Sequence, residues 1–294
     1  LLQIILVPKF EQMLIQIGKQ STFLMLQNNI SPKKTTDVGF KVFSQFDEDG
    51  ILTFLVNKLQ LDELTVFEIG AGDFSECNSR WLVENFGAKS VVVDCDPLLQ
   101  RNIEIMGYRQ KNDVLVIQEW VDLDSIQKIE SKAREFLRHI DIVSIDLDGI
   151  DYWIAKQLSF LDVKIAVVEV NPIFGSTKSI TVPYSKNFVR QNAHYSQLYF
   201  GCSVRAFIEL FETRDMLLIG FNSNRNNAFF VKKNLVESML NFDLLSREKL
   251  DAIMNGYAFK ESLAVGGEKT YLSLDLAKEL IFDLPVIDVS GTLG

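Results

Sequence analysis

Acidic and amide side chains recur where two hydrophobic runs of the chain end. Asp146 ends one β-branched run and Asp148 comes two residues later, while Glu169 and Asn171 end the next run. Hard oxygen ligands of this kind suit Mg²⁺, Mn²⁺ or Ca²⁺ rather than zinc. A divalent cation here could hold a hydroxyl group and lower its pKa. The alternatives are that Asp148 or Asp151 caps the helix that follows, or that Asp146 contacts a cofactor or substrate without any metal.

A second motif is the stretch VFEIGAGDFSEC, which begins at Val66 and carries a hydrophobic run into two glycines. A dinucleotide site asks for three glycines in G-x-G-x-x-G, so that backbone amides reach a pyrophosphate, but a serine takes the third position here. Glu68 and Asp73 flank the glycines and would repel phosphate. They favour a cationic guest without phosphate, such as the sulfonium and ammonium groups of S-adenosylmethionine. Gly70 and Gly72 would let the backbone approach it.

Further cofactor contacts are expected after the next hydrophobic runs. Asp94 lies twenty-two residues after Gly72 and ends the following run, which places it to accept hydrogen bonds from ribose hydroxyls. Trp120 follows the third run, where it either stacks on adenine or serves as a core aromatic. The residues predicted from this reasoning to bind S-adenosylmethionine are Glu68, Gly70, Ala71, Gly72, Asp73, Asp94, Trp120 and Asp146.

The chain has two histidines that could act as a general base if no metal activates the hydroxyl. His139 precedes the fourth predicted strand, at the end away from the ligand crevice, and we interpret it as structural. His194 lies in a long segment without periodicity, residues 171–200, which is typical of an active-site lid or a disordered insert. We therefore predict Asp146 and His194 as catalytic residues. The alternative for His194 is a solvent-exposed residue without a role.

These residues have to be positioned by a sheet. Short β-branched runs alternate with helical patterns, which indicates right-handed βαβ units and a parallel, doubly wound sheet. The runs 216–221 and 228–232, joined by an Asn- and Ser-rich turn, predict an antiparallel hairpin at the sheet edge. The predicted strands are 65–69, 90–94, 114–117, 141–146 and 164–169, and the predicted helices are 78–86, 97–106, 123–137, 151–160 and 203–213.

Composition narrows the class of protein. The net charge of −9 argues against a nucleic-acid partner, because phosphate binding needs a basic face. Three scattered cysteines fit a reducing, cytoplasmic compartment. The apolar opening Leu1–Pro8 is too short to span a membrane and lacks a signal-peptide pattern. An amphipathic start over residues 1–29 and an acidic surface allow a homodimer.

Several pieces of sequence together resemble the FkbM-like branch of S-adenosylmethionine-dependent methyltransferases. The match covers about residues 40–235 and rests on SQFDEDG at 44–50, FEIGAGD at 67–73, SIDLDGIDY at 144–152, VEVNP at 168–172 and NNAFFV at 226–231. The resemblance implies the seven-stranded, Rossmann-like class I methyltransferase fold. It also implies methylation of a hydroxyl on a sugar, nucleotide-sugar or glycan intermediate, of the surface-polysaccharide or natural-product type.

The resemblance adds Gln45, from the first piece, to the cofactor-binding residues. Phe74 departs from it, because many members have glycine there, which puts the loop conformation in question. We expect a helical N-terminal extension at 1–36, the methyltransferase domain at 37–235 and a helical, then irregular extension at 236–294. The rival interpretations are an NAD-type oxidoreductase and a non-catalytic binding module that keeps the fold.

Overall fold

The protein is described here by a computed structural model that covers residues 2–28, 30–108, 113–239, 242–243, 245–256 and 261–291. The centre is a seven-stranded sheet in the order β3-β2-β1-β4-β5-β8-β7. The strands are β1 Thr65–Ile69, β2 Lys89–Asp94, β3 Val114–Gln118, β4 Ile142–Ile145, β5 Ile165–Glu169, β6 Ile180–Thr181, β7 Met216–Phe221, β8 Asn227–Lys232, β9 Ser262–Leu263, β10 Lys269–Thr270 and β11 Ile287–Asp288.

Five strands of the sheet are parallel, and β8 runs antiparallel to both β5 and β7. The five predicted strands and the predicted edge hairpin are therefore confirmed. The order reverses between β1 and β4, because the chain first builds outward to β3 and then returns to the other side of β1. Ligands of open α/β sheets bind at such a switch point, beyond the carboxyl ends of the strands.

Helices cover both faces of the sheet. They are α1 Leu2–Gln27, α2 Glu48–Lys58, α3 Ser79–Phe86, α4 Leu99–Met106, α5 Ile126–Phe136, α6 Asp151–Gln157, α7 Arg190–Ala193, α8 Val204–Glu212, α9 Lys233–Met239, α10 Arg247–Asn255 and α11 Leu274–Ile281.

Alternation along the strands explains the two helical layers. In β1, Phe67 and Ile69 pack with α5, α6 and α8, while Val66 packs with α2, α3 and α4 on the other face. All five residues of β1 are buried, as expected for a parallel strand that is covered on both sides. The seven-stranded topology with its antiparallel hairpin is the class I methyltransferase fold.

The N-terminal extension forms one long helix, and one of its faces packs on the domain. A side chain at Gly18 would meet the ring of Trp81 within 2.6 Å, so the glycine permits this close approach. Glu11 pairs with Arg80 at 2.9 Å. Phe10 and Met13 are each 61% exposed on the outer side. Over the described ranges, none of the helices combines the length and the apolarity that crossing a bilayer requires.

The C-terminal extension packs on the segment 171–200. Strand β11 pairs antiparallel with β6, and helix α11 packs against the 3₁₀ turn Pro172–Phe174. The small apolar core between them includes Val182, Leu198, Ala277 and Ile281. The two parts of the chain without readable periodicity therefore support each other beside the carboxyl ends of the strands.

Candidate functional site

The loop after β1 contains two glycines, and each is needed for a different structural reason. Gly70 has φ +90°, and an added Cβ would lie 2.6 Å from the carbonyl carbon of Asp146 and closer still to its oxygen. Gly70 is therefore required by the close approach of the chain leaving β4. Gly72 has φ +54° and nothing within 4 Å of an added Cβ, so this glycine opens onto the crevice. Both glycines line the main cavity.

Phe74 keeps a glycine-like backbone, with φ +70°, although it carries a large side chain. The ring is fully buried and packs edge-on against Tyr108 at 5.8 Å between centroids. The departure from the FkbM-like pattern thus leaves a left-handed turn in place, and burial of the phenyl ring offsets the backbone strain.

Glu68 lines the cavity but is already bound to the backbone of its own domain. Its two carboxylate oxygens accept hydrogen bonds from the amides of Asn78 at 2.8 Å and Ser79 at 2.9 Å, at the start of α3. Burial raises the pKa of this carboxyl above its ordinary value. Glu68 therefore anchors α3, and its expected contact with an ammonium group, directly or through water, stays a prediction.

Two other predicted loop residues point elsewhere. Ala71 is 1% exposed and packs in the core. Asp73 accepts a hydrogen bond from the amide of Ser75 at 2.9 Å and so closes a local turn. Neither is among the described residues that line the cavity.

Asp94 joins the end of β2 to the glycine loop. One carboxylate oxygen accepts from the amide of Gly72 at 2.8 Å, and the other accepts from the amide of Asp96 at 2.9 Å. The side chain is partly exposed and lines the cavity, where it has the placement predicted for a ribose contact. Trp120 also lines the cavity, is 41% exposed and donates its indole N–H to the carbonyl of Lys186 at 2.9 Å. It is therefore not a core aromatic.

Gln45 reaches the cavity because the SQFDEDG segment is held by its acids. The carboxylate of Asp49 accepts from the amides of Val42, Phe43 and Ser44 at 2.6, 2.6 and 2.9 Å, which curls the chain just before Gln45. Asp49 is fully buried, and this burial raises its pKa to about 6.

Glu48 connects the same segment to the β7–β8 hairpin. Its carboxylate accepts from the side-chain amides of Asn222 at 2.7 Å and Asn227 at 2.8 Å, and all three residues are buried. The hairpin turn thereby places Asn224 and Asn226 in the cavity wall. The resemblance to a methyltransferase family did not assign any role to these asparagines.

Three carboxylates meet at the ends of β4 and β5. Asp146, Asp148 and Glu169 each offer an oxygen, and these oxygens all lie within 4.8 Å of one another. Burial raises the pKa of Asp146 and Glu169 well above the ordinary range, and the neighbouring negative charges raise it further. Arg190 opposes them, since it pairs with Asp148 and lies 3.9 Å from Glu169.

Asn171 does not join this cluster. Its amide nitrogen donates to the carbonyls of Leu198 and Phe200, both at 2.9 Å, and its oxygen accepts from the amide of Ile173 at 3.1 Å. Asn171 is fully buried and lies outside the described lining of the cavity. These contacts correct the predicted ligand set, because the amide instead fastens the segment 171–200 to the end of β5.

Asp151, the first residue of α6, closes the turn that precedes the helix rather than capping the helix itself. Its oxygens accept from the amides of Leu147 at 2.6 Å and Gly149 at 2.9 Å, and burial raises its pKa to about 6. The turn that it closes leaves Asp148 at φ +53°, with its side chain 51% exposed toward the cavity.

His194 is not among the described residues that line the cavity. Its Nδ1 lies 2.7 Å from the hydroxyl of Ser196, and its ring is tilted against that of Tyr195 with 4.3 Å between centroids. Partial burial lowers its pKa below the ordinary value. The structure thus gives no support to His194 as the general base. His139 lies beside the buried Asp141 at the start of β4, as interpreted from the sequence.

The cavity wall includes Arg190, which the sequence offers beside Tyr152, Tyr184 and Tyr195 as a candidate acceptor-pocket residue. It also includes residues that the sequence did not single out: Phe188 from the segment 171–200, and Glu261, Ser262 and Lys269 from the β9–β10 hairpin of the C-terminal extension. The amide of Leu263 donates to the carbonyl of Ser196 at 3.2 Å, which ties the hairpin to the lid segment. The length and irregularity of 171–200 were the only sequence signal.

The cavity has a volume of about 900 Å³ and an acidic wall. Among its described lining residues, eight carry carboxylates and two, Arg190 and Lys269, carry positive charge. The volume suits a nucleoside-sized ligand together with a second small molecule. The charge balance favours a cationic or neutral ligand and disfavours a phosphate-bearing one.

No protein-family model matches the sequence, and no curated protein sequence matches it. The resemblance to the FkbM-like branch therefore stays a prediction. The structure is similar to an O-methyltransferase family protein from Burkholderia thailandensis, with 9% identity and a TM-score of 0.37, over 63% of this chain and 57% of that chain. It is also similar to Aeropyrum pernix fibrillarin with natively bound S-adenosyl-L-methionine, with 11% identity and a TM-score of 0.36, over 57% and 66% of the two chains.

A third similar structure is an S-adenosylmethionine-dependent methyltransferase from Aquifex aeolicus, with 13% identity and a TM-score of 0.35, over 63% of this chain and 88% of that chain. Similarities this distant do not assign an activity. The fold follows from the strand order, and the function has to be argued from the cavity.

Proposed function

We propose that this protein is an S-adenosylmethionine-dependent methyltransferase that methylates a hydroxyl of a sugar, nucleotide-sugar or glycan intermediate. The observation that carries the proposal is the acidic cavity at the switch point of a class I methyltransferase sheet. A dinucleotide would bring a pyrophosphate against eight carboxylates and only two cations. S-adenosylmethionine brings a sulfonium and an ammonium group and no phosphate, which suits the same charges.

The residues around the glycine loop fit this cofactor. Gly72 leaves open space where the methionine part can approach, and Asp94 presents a partly exposed carboxylate to the ribose. Trp120 offers an exposed indole face to the adenine, and Gln45 lines the same wall. Glu68 lines the same wall, and we assign it to the ammonium group, directly or through water, beside its anchoring role.

The other side of the cavity suits a neutral, hydroxyl-rich acceptor. Phe188 presents an aromatic ring, and Gln191, Gln197 and Asn224 present amides that both donate and accept hydrogen bonds. Arg190 is engaged by carboxylates, so little positive charge remains for a diphosphate. Within the proposed acceptor classes, these contacts favour a sugar or glycan hydroxyl over a nucleotide-sugar.

The cofactor supplies an electrophilic methyl group, and the protein aligns the acceptor and excludes water. The hydroxyl oxygen forms a C–O bond as the C–S bond breaks, and the sulfonium becomes a thioether. The hydroxyl proton leaves toward the carboxylates at the ends of β4 and β5. We assign Asp146 as the residue that orients the hydroxyl, because it lines the cavity beside Gly70. Cytoplasmic location and homodimer formation stay predictions.

Calorimetry with S-adenosylhomocysteine and with NAD⁺ tests the cofactor, and a mass-detected methyl-transfer assay over sugar and glycan acceptors tests the reaction. We expect binding of S-adenosylhomocysteine, no binding of NAD⁺, and transfer that falls sharply in Asp146→Asn. Binding of NAD⁺ alone would support an oxidoreductase instead. Binding of S-adenosylhomocysteine with no methyl transfer to any acceptor would favour the non-catalytic module.

A further inference from the structure

The three carboxylates at the ends of β4 and β5 have the spacing of a single-ion site. Two oxygens that bind one Ca²⁺ ion at about 2.4 Å can be no more than about 4.8 Å apart, and the corresponding limit for Mg²⁺, at about 2.1 Å, is about 4.2 Å. The oxygens of Asp146, Asp148 and Glu169 meet the limit for Ca²⁺, since all lie within 4.8 Å of one another. The rigid ends of two neighbouring parallel strands hold Asp146 and Glu169 at this spacing.

Glu169 provides a second and independent sign of a ligand. Its side chain is 6% exposed, and its Oε2 is buried with no hydrogen-bond partner. Leaving a buried polar oxygen without a partner costs about 1–3 kcal/mol, and more for a charged group. In contrast, Asp151 and Glu68 nearby accept two backbone amides each. Glu169 therefore faces the cavity with unused acceptor capacity.

Arg190 compensates only part of the charge. When all three acids are ionised, as ligands of a cation are, they face one guanidinium and leave an excess of two negative charges, equal to the charge of one divalent cation. Arg190 comes from the lid segment and is held by stacking on Phe200 at 3.7 Å and by its bond to the carbonyl of Gln197 at 2.7 Å. Its contact with Asp148 is made at the exposed side of the cluster, where the carboxylate is 51% exposed.

We propose that Asp146, Asp148 and Glu169 bind a divalent cation that prefers oxygen ligands, Mg²⁺, Mn²⁺ or Ca²⁺, in competition with Arg190. The open side of the cluster faces the cavity, so water or an acceptor hydroxyl can complete the coordination. A hydroxyl held there has a lowered pKa, and its proton can leave to solvent. Only this role in activating the acceptor rests on the proposed function. Binding of the cation stands by itself.

The test is titration of the chelator-treated, dialysed full chain with Mn²⁺, followed by electron paramagnetic resonance of free Mn²⁺ and by calorimetry. We expect one Mn²⁺ site that Mg²⁺ displaces. Asp148→Asn and Glu169→Gln should weaken Mn²⁺ binding more than about ten-fold. Changes to residues that only hydrogen-bond to metal ligands already lower metal affinity by about 10- to 100-fold. Glu119→Gln is the matched control, because it removes a carboxylate of the same cavity outside the cluster and should leave Mn²⁺ binding unchanged.

Arg190→Gln tests the competition between Arg190 and the cation, and its expected effect on Mn²⁺ binding is opposite to that of the ligand variants. It removes the competing positive charge while keeping a polar, though shorter, side chain, so Mn²⁺ binding should tighten. Unchanged or weaker binding in a folded variant contradicts the competition. Absence of Mn²⁺ binding to the unmodified chain, or equal loss in Glu119→Gln, overturns the site. Circular dichroism and S-adenosylhomocysteine binding verify that each variant is folded. Mn²⁺ binding without any binding of S-adenosylhomocysteine would refute the proposed function and leave the cation site intact.

Discussion

Replacing Gly70 by alanine should damage both the sheet and the cavity. A residue with a side chain at φ +90° is strained by about 1–2 kcal/mol. The new Cβ would also lie 2.6 Å from the carbonyl carbon of Asp146, which is backbone and cannot rotate away. Overpacking of this kind costs about 1–3 kcal/mol. The two effects together predict a loss of about 2–5 kcal/mol of unfolding free energy, because the end of β4 must move away from β1.

Gly72→Ala is the matched control for this prediction. Its φ of +54° brings a similar backbone strain, but nothing lies within 4 Å of the added Cβ. Urea unfolding should therefore show a loss of only about 1–2 kcal/mol for Gly72→Ala. Calorimetry should show weaker S-adenosylhomocysteine binding in both variants. In Gly70→Ala the cause is a displaced Asp146, and in Gly72→Ala it is a methyl group that fills part of the crevice. Equal stability losses in the two variants would refute the steric reasoning for Gly70.

Three further predictions follow from other contacts. Burial raises the pKa of Asp49 from 3.8 to about 6, so the folded chain holds this proton more tightly than the unfolded chain. The unfolding free energy of the wild type, relative to that of Asp49→Asn, should then fall by about 3 kcal/mol as the pH rises from about 4 to about 6, and stay constant at higher pH. Urea unfolding measures this difference, and a rise over the same pH range would contradict the prediction. Glu48→Ala should cost at least about 2 kcal/mol in urea unfolding, because Asn222 and Asn227 lose their buried acceptor, and Glu48→Gln should cost less. His194→Ala should change kcat by no more than about two-fold, whereas loss of a general base costs about 100-fold or more and would restore His194 to the mechanism.

The sequence predicted the parallel sheet because each strand has a local signal. Short β-branched runs between helical patterns gave all five parallel strands, and the hairpin followed from its Asn-rich turn. The sheet in turn placed the strand-end acids, since carboxyl ends of parallel strands share one edge. Asp94, Asp146 and Glu169 therefore lie in one cavity, as expected from their positions.

The rest of the site depends on contacts between distant segments. The β9–β10 hairpin reaches the cavity only because α11 and β11 pack on the segment 171–200, and short strands of two residues carry no periodicity. Arg190 meets Asp148 across forty-two positions of the chain. Asn171 was misassigned for a related reason. The carbonyls of Leu198 and Phe200 that occupy its amide lie 27 and 29 positions away, on a segment whose path the sequence does not reveal.

The hydrogen-bond partners of the acids distinguish carboxylates with a structural role from those available for binding or catalysis. Glu68, Asp49 and Asp151 each accept two or three backbone amides, so their charges shape loops and helix starts around the cavity. Asp146 and Glu169 accept no backbone amide of the described residues and hydrogen-bond to each other, while desolvation opposes their charged forms. Maintaining such groups beside the crevice costs stability unless a ligand or cation compensates them. We therefore assign a chemical role to Asp146 and Glu169 because no backbone amide binds their carboxylates. The amino-acid types alone do not show this difference from the structural acids.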